Sequence, residues 1–203
     1  MATEDAGVNL LNLKSGEVSR WVKIPGIGSN VHELLFNKHT NDLWIGCFRD
    51  GLYRYNLSSG AYVHYGNGGF GLESNSIFSI AGQPTVDGTR IWVGTTFGLR
   101  YYDPSTDTFR KIDHGILDAD FIFCQLVDHK NNLWVGTLNN GLFRIAADDG
   151  KIDGWKISED TVSGALGDNY ITAIYEDALH NIFIGTNTGG LHVIKAGKST
   201  VSS

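Results

Sequence analysis

The sequence lacks the features that membrane segments, nucleic-acid surfaces and secretion signals require. Its uninterrupted apolar runs reach about four residues, whereas a bilayer-spanning helix needs roughly 20. Sixteen basic residues against 22 acidic ones give a net charge of −6, so there is no basic excess to displace the counterions of a phosphate backbone. The acidic start, Met1 to Asp5, contains no apolar stretch. We therefore predict no nucleic-acid partner, no signal peptide, and attachment to a membrane only through segments outside this chain.

Cysteine, proline and charged residues are also few. Cys47 and Cys124 lie 77 residues apart, and two such thiols are expected to be buried small side chains rather than a disulfide or a metal pair. The chain has three Pro, one Met and 19% charged residues, but its 26 Gly among 203 residues are nearly double the usual ~7%. No stretch places apolar residues at helical spacing over three turns. This balance is typical of an all-β protein rich in turns.

What the sequence does contain is a repeat. A five-residue pattern, apolar-aromatic-apolar-Gly-Thr or Cys, occurs at Leu43–Cys47, Ile91–Thr95, Leu133–Thr137 and Ile182–Thr186. A Gly-Leu pair follows each copy, and the glycines of the pattern are separated by 48, 42 and 49 residues. Around the pattern, apolar residues follow the period of strands and Asn, Asp, Gly and Pro predict tight turns. Four short strands per repeat at this spacing are typical of a β-propeller blade.

We therefore predict an all-β propeller with four full or nearly full four-stranded blades and a preceding half blade. The half blade covers residues 7–23, because Gly7–Gly16 matches Gly51–Gly60 at a constant offset of 44 residues. The blades cover about 31–65, 77–112, 121–157 and 170–195, which predicts 17 strands in one domain or domain fragment, 1–203. A seven-bladed ring at this spacing needs about 315 residues. We favour part of a seven-bladed ring over a small closed ring or an arc completed by a second chain.

The repeats resemble the two-component regulator propeller repeat. The resemblance runs from about Gly7 to Lys195. It is carried by the segments Ser74–Ile80, Ile91–Thr95, Gly98-Leu99 and Tyr102–Thr106, and again by Asp168–Asp177, Asn181–Thr186 and Gly189–Leu191. It implies the sensor region of a hybrid two-component receptor, located in the periplasm or otherwise outside the cytoplasmic membrane of bacteria. Such regions are generally linked to sensing carbohydrate breakdown products, and any kinase activity would lie in other domains.

Some positions depart from the family pattern. Cys47 stands where the other copies have Thr, and Phe183 where they have Trp. The Asp that ends the first strand at Asp128 and Asp177 is replaced by Lys38 in the first full blade. In the second blade it is lost, and residues 84–88 are expected to lengthen the turn.

The recurring aromatic and glycine positions are interpreted as packing between blades. A ligand site would not recur identically in every blade. These structural positions are Trp44, Gly46, Trp92, Gly94, Trp134, Gly136, Phe183 and Gly185.

The sequence predicts no catalytic residue, no cofactor and no metal site. His32-Glu33 begins like a zinc-protease motif but lacks its second His, and the seven histidines show no paired ligand spacing. Gly66–Gly71 spells a dinucleotide-binding motif, but it lacks the βαβ context that the motif needs. A non-catalytic role is therefore expected.

Ligand binding is predicted at one loop face. In a propeller, the loops from the second to the third strand of each blade share a face with the loops that join blades, and here they vary while the scaffold repeats. Aromatic rings can cover a pyranose, and amide or guanidinium groups can pair with its hydroxyls. The candidate residues are Asn30, His32, Phe48, Arg49, Asp50, Asn75, Phe97, Asp120, Asn139, Asn140, Asp168, Asn169 and Tyr170. The alternative is that these Asn and Asp side chains only satisfy backbone groups of turns.

We expect a ligand-sensing propeller region that recognises an oligosaccharide. Two other functions stay open. One is a scaffold for protein interaction, including a homo-oligomer formed through open blade edges. The less favoured one is a propeller-fold polysaccharide lyase or glycosidase, which would need His32, Arg49, Asp120 and Tyr170 to converge over the channel.

Overall fold

The structure is a computed structural model, which describes residues 1–3, 5–21, 23–66, 68–155, 166–198 and 200–202. These residues form 19 β-strands in five antiparallel sheets. In this described part of the chain, no helix has the length and apolar character needed to cross a membrane. The chain divides into two compact units. Unit 1 comprises Met1–Thr96 and Arg100–Lys111, and unit 2 comprises Phe97–Leu99 and Ile112–Ser203.

Unit 1 contains three sheets in which each strand pairs with the next along the chain. The first sheet consists of β1 (Ala2–Thr3), β2 (Gly7–Leu11) and β3 (Val18–Arg20). The second consists of β4 (Val31–Asn37), β5 (Asp42–Cys47), β6 (Leu52–Asn56) and β7 (Tyr62–Tyr65). The third consists of β8 (Ile77–Thr85), β9 (Gly88–Thr95), β10 (Gly98–Asp103) and β11 (Thr108–Arg110). The first two residues of β10 belong to unit 2.

Unit 2 contains two further sheets of the same design. The fourth sheet consists of β12 (Ile122–Val127), β13 (Leu133–Thr137), β14 (Leu142–Ile145) and β15 (Ile152–Trp155). The fifth consists of β16 (Ile171–Glu176), β17 (Ile182–Thr186), β18 (Leu191–Ile194) and β19 (Val201–Ser202). Four-stranded antiparallel meanders of this kind are the blades of a β-propeller.

The core of each unit lies between neighbouring sheets. In unit 1, Trp44 of the second sheet packs against Tyr102 and Phe109 of the third, with ring centroids 5.0 and 6.3 Å apart. In unit 2, Trp134 of the fourth sheet belongs to one buried cluster with Ile171 and Ile182 of the fifth. The repeated aromatic residue therefore joins one blade to the next within each unit.

The glycine of the five-residue pattern lies at the same inter-sheet contact. A Cβ on Gly46 would lie 2.7 Å from Cγ2 of Ile77, and one on Gly136 would lie 2.8 Å from Cγ2 of Ile171, each in the next sheet. Only a residue without a side chain fits at these two positions. At Gly185 the nearest atom would be 3.4 Å away, which is ordinary contact.

The register of the first strands corrects one alignment made from the sequence. Counted from the buried residue that opens each first strand, the seventh residue is Asn37, Gln83, Asp128 and Asp177, so Lys38 is not the equivalent of Asp128. The acceptor is not lost in the second full blade either. Gln83 Oε1 accepts the indole N–H of Trp92 at 2.9 Å, as Asp128 Oδ2 accepts that of Trp134 at 2.8 Å.

Two further expectations were wrong in detail. The described residues contain 19 strands rather than 17, because the two-residue strands β1 and β19 extend the first and last sheets. Residues 84–88 do not form a long turn. Pro84 and Thr85 continue β8 and pair with Thr89 and Gly88, leaving a two-residue turn.

Candidate functional site

All four four-stranded sheets carry a β-bulge at the start of their first strand. In the pairing with the second strand the register skips one residue, which is His32 in β4, Phe78 in β8, Phe123 in β12 and Thr172 in β16. The residue before each bulge is a buried Val or Ile. A bulge re-aims its side chain away from the regular pleat. One scaffold position thus presents His in one four-stranded sheet, Phe in two and Thr in one, beside the loops predicted to bind ligand.

In unit 1 the bulged residues build an aromatic group with the loop after β5. The His32 ring lies parallel to Phe48 at 5.6 Å and edge-on to Phe78 at 4.7 Å. Phe48 and Phe78 lie 5.7 Å apart, and the exposed guanidinium of Arg49 lies 4.9 Å from the centre of the Phe48 ring. We call His32, Phe48, Arg49 and Phe78 the His32 cluster. It offers flat apolar rings next to a cation, and these groups are suited to bind a ring-shaped ligand that carries polar groups.

The backbone fixes the loop that carries the His32 cluster. Phe48 N–H donates to the carbonyl of Asn30 at 2.9 Å, and Gly51 N–H donates to the carbonyl of Asn75 at 2.7 Å. Arg49 is held at a φ of 62°, in the left-handed region that side chains other than Gly, Asn and Asp rarely adopt. Asn30 and Asn75 therefore hold this loop through their main chains.

Asp50 has a structural role in unit 1. Its Oδ2 accepts hydrogen bonds from Gly28 N–H at 2.6 Å and from the Tyr53 hydroxyl at 2.9 Å. Burial and this hydrogen bond to Asp50 raise the pKa of Tyr53, so its hydroxyl stays protonated and keeps donating. Burial, with a smaller contribution from the Asp50 charge, raises the pKa of the neighbouring Cys47 thiol to about 12. The thiol is therefore unreactive at neutral pH.

In unit 2 the aromatic residues at the corresponding strand starts also meet. Phe123 lies edge-on to Tyr170 with ring centroids 5.2 Å apart, and 5.9 Å from Phe121. The carbonyl of Asn169 accepts the N–H of Gly141 at 3.0 Å, which is the same loop-to-sheet bond that Asn75 makes in unit 1. We call Phe121, Phe123 and Tyr170 the Phe123 cluster.

Asp120 and Asp168, the two aspartates of unit 2 among the candidate residues, hold loops together. Asp120 is buried and accepts the side-chain amides of Asn139 at 3.0 Å and Asn140 at 2.9 Å, together with Phe121 N–H at 2.8 Å. Asp168 accepts Tyr170 N–H at 3.0 Å and the Thr188 hydroxyl at 2.7 Å. The bond from Tyr170, followed by those from Thr188, lowers the pKa of Asp168. Asp168 is therefore an anionic loop anchor at neutral pH, and Asp120 anchors its loop through the three hydrogen bonds that it accepts.

The structure divides the predicted residues by role. It brings six of them together in unit 1 around the His32 cluster, and it gives backbone or loop-anchoring roles to Asn30, Asp50, Asn75, Asp120, Asp168 and Asn169. Phe97 is 56% exposed in unit 2. The sequence interpretation missed Phe78 and Phe123 as candidates. The available signal was the residue directly after the Val or Ile that opens each first strand.

The lyase hypothesis needs His32, Arg49, Asp120 and Tyr170 to act on one substrate. The Asp120 carboxylate already accepts three N–H donors, so it is poorly placed to take a proton from a substrate. His32 is packed between two phenyl rings. These surroundings disfavour acid–base chemistry at both residues.

Comparison with known proteins supports the resemblance seen in the sequence. The sequence model described as two component regulator propeller matches residues 165–188, which end within the turn after β17. This confirms that the chain carries that repeat. No curated protein sequence matches the chain.

Solved structures confirm the propeller fold. One is named as the extracellular domain of a hybrid two component system from B. thetaiotaomicron, with a TM-score of 0.78 and 23% identity over 97% of this chain. PorZ of Porphyromonas gingivalis, a surface component of the type-IX secretion system, gives 0.71 and 16% over 97%. Virginiamycin B lyase from Staphylococcus aureus gives 0.58 and 17% over 94% of this chain and 63% of its own length. The chain spans 25% and 30% of the first two structures.

Proposed function

We propose that this chain is a non-catalytic, ligand-sensing propeller region of a two-component signalling receptor, located outside the cytoplasmic membrane. The two component regulator propeller repeat at residues 165–188 and the likeness to an extracellular domain of a hybrid two component system support this role. The observation that carries the proposal is the recurring bulge. It keeps one scaffold position in each four-stranded sheet, where the chain presents His32, Phe78, Phe123 and Thr172 in turn.

The proposed ligand is an oligosaccharide fragment. The His32 cluster supplies three rings within 6 Å of one another, and Arg49 supplies hydrogen-bond donors at its edge. Stacking of a ring on a sugar face and donation to its hydroxyls are complementary parts of one interaction. Because Asp50, Asp120 and Asp168 are already hydrogen-bonded within the protein, the rings and Arg49 rather than these carboxylates are assigned to the ligand.

Calorimetric titration with a panel of neutral and acidic oligosaccharides tests this proposal. Arg49→Asn removes the guanidinium but keeps a residue that tolerates a φ of 62°, as Asn131 does at the same φ in unit 2. We expect the variant to weaken binding of the responding glycan about tenfold or more, with an unchanged melting temperature. Tyr62→Ala, a truncation of a 44% exposed ring on the outer strand β7, is the matched control and should bind as the wild type does.

Two outcomes would contradict the proposal. Equal loss of affinity in Arg49→Asn and Tyr62→Ala would place binding away from the loops. Turnover of any glycan in the panel would contradict the non-catalytic role.

A second candidate function is self-association, which an exposed apolar surface on the first sheet favours. On one face of the hairpin β2–β3, Leu11 and its cross-strand partner Val18 are 42% and 55% exposed, and Leu13 in the turn is 89% exposed. Exposed apolar patches on an outer strand are common at protein interfaces. If this surface forms a homodimer, light scattering should give twice the chain mass, and Leu11→Lys should return the monomer. A concentration-independent monomer for the wild type would exclude this function.

A further inference from the structure

The turns that end β12 and β16 in unit 2 bring two histidines and a glutamate together. His129 follows β12, Glu176 is the last residue of β16, and His180 lies in the turn after it. One ligand atom from each side chain lies within 4.8 Å of the other two. The six residues of β12 separate this group from the Phe123 cluster by roughly 20 Å, so it is not part of the proposed ligand site. We call His129, Glu176 and His180 the His129 group.

The three side chains converge on one point. Nδ1 of His129 and Nδ1 of His180 both face Oε1 of Glu176, the second at 3.1 Å. The other carboxylate oxygen, Oε2, accepts the backbone N–H of His129 at 2.9 Å. The two imidazole rings are stacked with centroids 3.6 Å apart. A carboxylate with one oxygen fixed by a backbone donor and two imidazole nitrogens aimed at the other is a preorganised set of metal ligands.

Repeated turns hold the group in place. Asp128 and Asp177 each accept two backbone N–H groups and one Asn side-chain amide of the turn that follows. Asn131 and His180 occupy equivalent positions of the two turns, with φ of 62° and 64°. His180 is thus a histidine where the equivalent turn of the fourth sheet has Asn131, and the turn does not depend on its imidazole.

The donor set and its surroundings select the kind of metal. Two imidazole nitrogens and one carboxylate oxygen suit Zn²⁺ and similar transition ions, whereas Mg²⁺ and Ca²⁺ prefer oxygen ligands alone. Lys130, Lys195 and Lys198 line the cleft of about 370 Å³ beside the group. Arg144 and the carboxylate of Asp128 also line it. The excess of positive charge opposes the binding of any divalent cation, so coordination by imidazole must supply the affinity for Zn²⁺.

We propose that His129, Glu176 and His180 form a binding site for one Zn²⁺ ion. Glu176 is 14% exposed, and His129 and His180 are 34% and 49% exposed at their side chains, so an ion can reach the site from the cleft. Three protein ligands leave a fourth position for water or a ligand group. The sequence predicted no metal site, because the two histidines are 51 residues apart. That separation is close to one repeat, so it places them in neighbouring blades.

Zinc titration of the tag-free, chelator-treated chain tests the site. We expect one Zn²⁺ per chain, a melting temperature that rises with Zn²⁺ concentration but not with Mg²⁺ or Ca²⁺, and the strong visible absorption of four-coordinate Co²⁺. His180→Asn installs the residue found in the equivalent turn, so it should leave the metal-free melting temperature unchanged and weaken Zn²⁺ binding at least about tenfold. Glu176→Gln should weaken binding similarly.

His39→Asn is the matched control. His39 is an exposed histidine in the corresponding turn of the second sheet, and its replacement should leave Zn²⁺ affinity as in the wild type. The proposal is overturned if the wild type shows no saturable Zn²⁺ binding. It is also overturned if His180→Asn binds Zn²⁺ as tightly as the wild type, or if His39→Asn loses affinity to the same degree.

Discussion

Trp44, Trp92 and Trp134 of the second strands β5, β9 and β13 each carry an indole N–H that needs an acceptor once the ring is buried. Trp92 and Trp134 find one at the seventh residue of the first strand, Gln83 and Asp128. Trp44 has no hydrogen-bond partner for its Nε1 among the described residues, because Oδ1 of the equivalent Asn37 accepts the backbone of His39. Phe183 in the last sheet has no N–H to satisfy. The aromatic ring of the five-residue pattern is therefore present in every copy of the repeat. Among the described residues, the hydrogen bond to the first strand is present in two copies, at Trp92 and Trp134.

Replacing Gln83 by Met removes the acceptor of Trp92 at nearly constant volume. We expect the free energy of unfolding in urea to fall by about 1–3 kcal/mol, since a buried donor is left unpaired. A double-mutant cycle with Trp92→Phe isolates the bond. In the Trp92→Phe background, which has no indole N–H, the Gln83→Met change should lower the free energy of unfolding by clearly less. An equal cost in both backgrounds would show that the hydrogen bond is not the cause.

Asp107 anchors a second polar network, which lies in unit 1. Its Oδ1 accepts the hydroxyls of Tyr65 at 2.7 Å and Tyr102 at 2.6 Å and lies 3.3 Å from Nη2 of Arg54. Burial alone would raise the pKa of this carboxyl, but the hydrogen bonds from the two tyrosines and the charge of Arg54 hold it below its ordinary value of 3.8. The charged form of Asp107 is therefore the form that stabilises the folded state.

The variant Asp107→Asn should lose about 1–2 kcal/mol of unfolding free energy at pH 7, because hydrogen bonds to a charged acceptor become neutral ones. Asn also tolerates the φ of 54° at this position. The folded pKa lies below the unfolded one, so the contribution is complete above about pH 4 and disappears as the pH falls through the folded pKa. The stability difference between wild type and variant should shrink accordingly in urea unfolding at decreasing pH. Asp87→Asn, at an exposed turn, is the control variant that removes a carboxylate outside this network.

At the level of strands and sheets, close approach of the blades depends on the pattern glycine. Gly136→Ala would place a Cβ 2.5 Å from Sγ of Cys124 and 2.8 Å from Cγ2 of Ile171, and we expect it to cost about 1–3 kcal/mol through overpacking. Gly185→Ala meets nothing closer than 3.4 Å and should change stability by less than about 1 kcal/mol. Thermal unfolding of both variants measures the two losses of stability. Equal losses would mean that the glycine serves the backbone and not the inter-sheet contact.

The strands were predictable to different degrees for physical reasons. The five-residue pattern at Leu43–Cys47 lies within β5, Asp42–Cys47, because the same apolar pattern marks this strand in each copy of the repeat. Strands β1 and β19 have two residues each and carry no period, so only their partners β2 and β18 define them. The sequence interpretation placed Pro84 in a turn, but it lies at the end of a strand where its missing N–H is tolerated.

The site was less predictable than the fold. A bulge is a mismatch between two strands, so the alternation within one strand does not reveal it, and Phe78 and Phe123 were missed for this reason. The contact between His129 and His180 depends on the offset between neighbouring blades. The loop aspartates were found from the sequence, but their hydrogen bonds to Asn139, Asn140 and Thr188 became visible only in the fold.

At the level of the whole molecule, the two ends of the first strand of a four-stranded sheet have different roles. The starts carry the bulges and the variable aromatic residues in both units, and the far ends of β12 and β16 carry the His129 group. The two proposals are independent, since loss of zinc binding would leave the loop site unaffected. Free Cys47 and Cys124 have thiol pKa values raised to about 12 by burial, so neither proposal involves thiol chemistry.

The most direct test of ligand binding at the loop face is backbone amide NMR of the labelled chain during titration with the oligosaccharide panel. We predict saturable shift changes at residues 30–32, 48–51 and 75–78, which surround the His32 cluster. The amides of His129 and His180 should stay unchanged. Changes confined to the outer strands β7, β11 and β15, or no change with any glycan, would contradict binding at these loops.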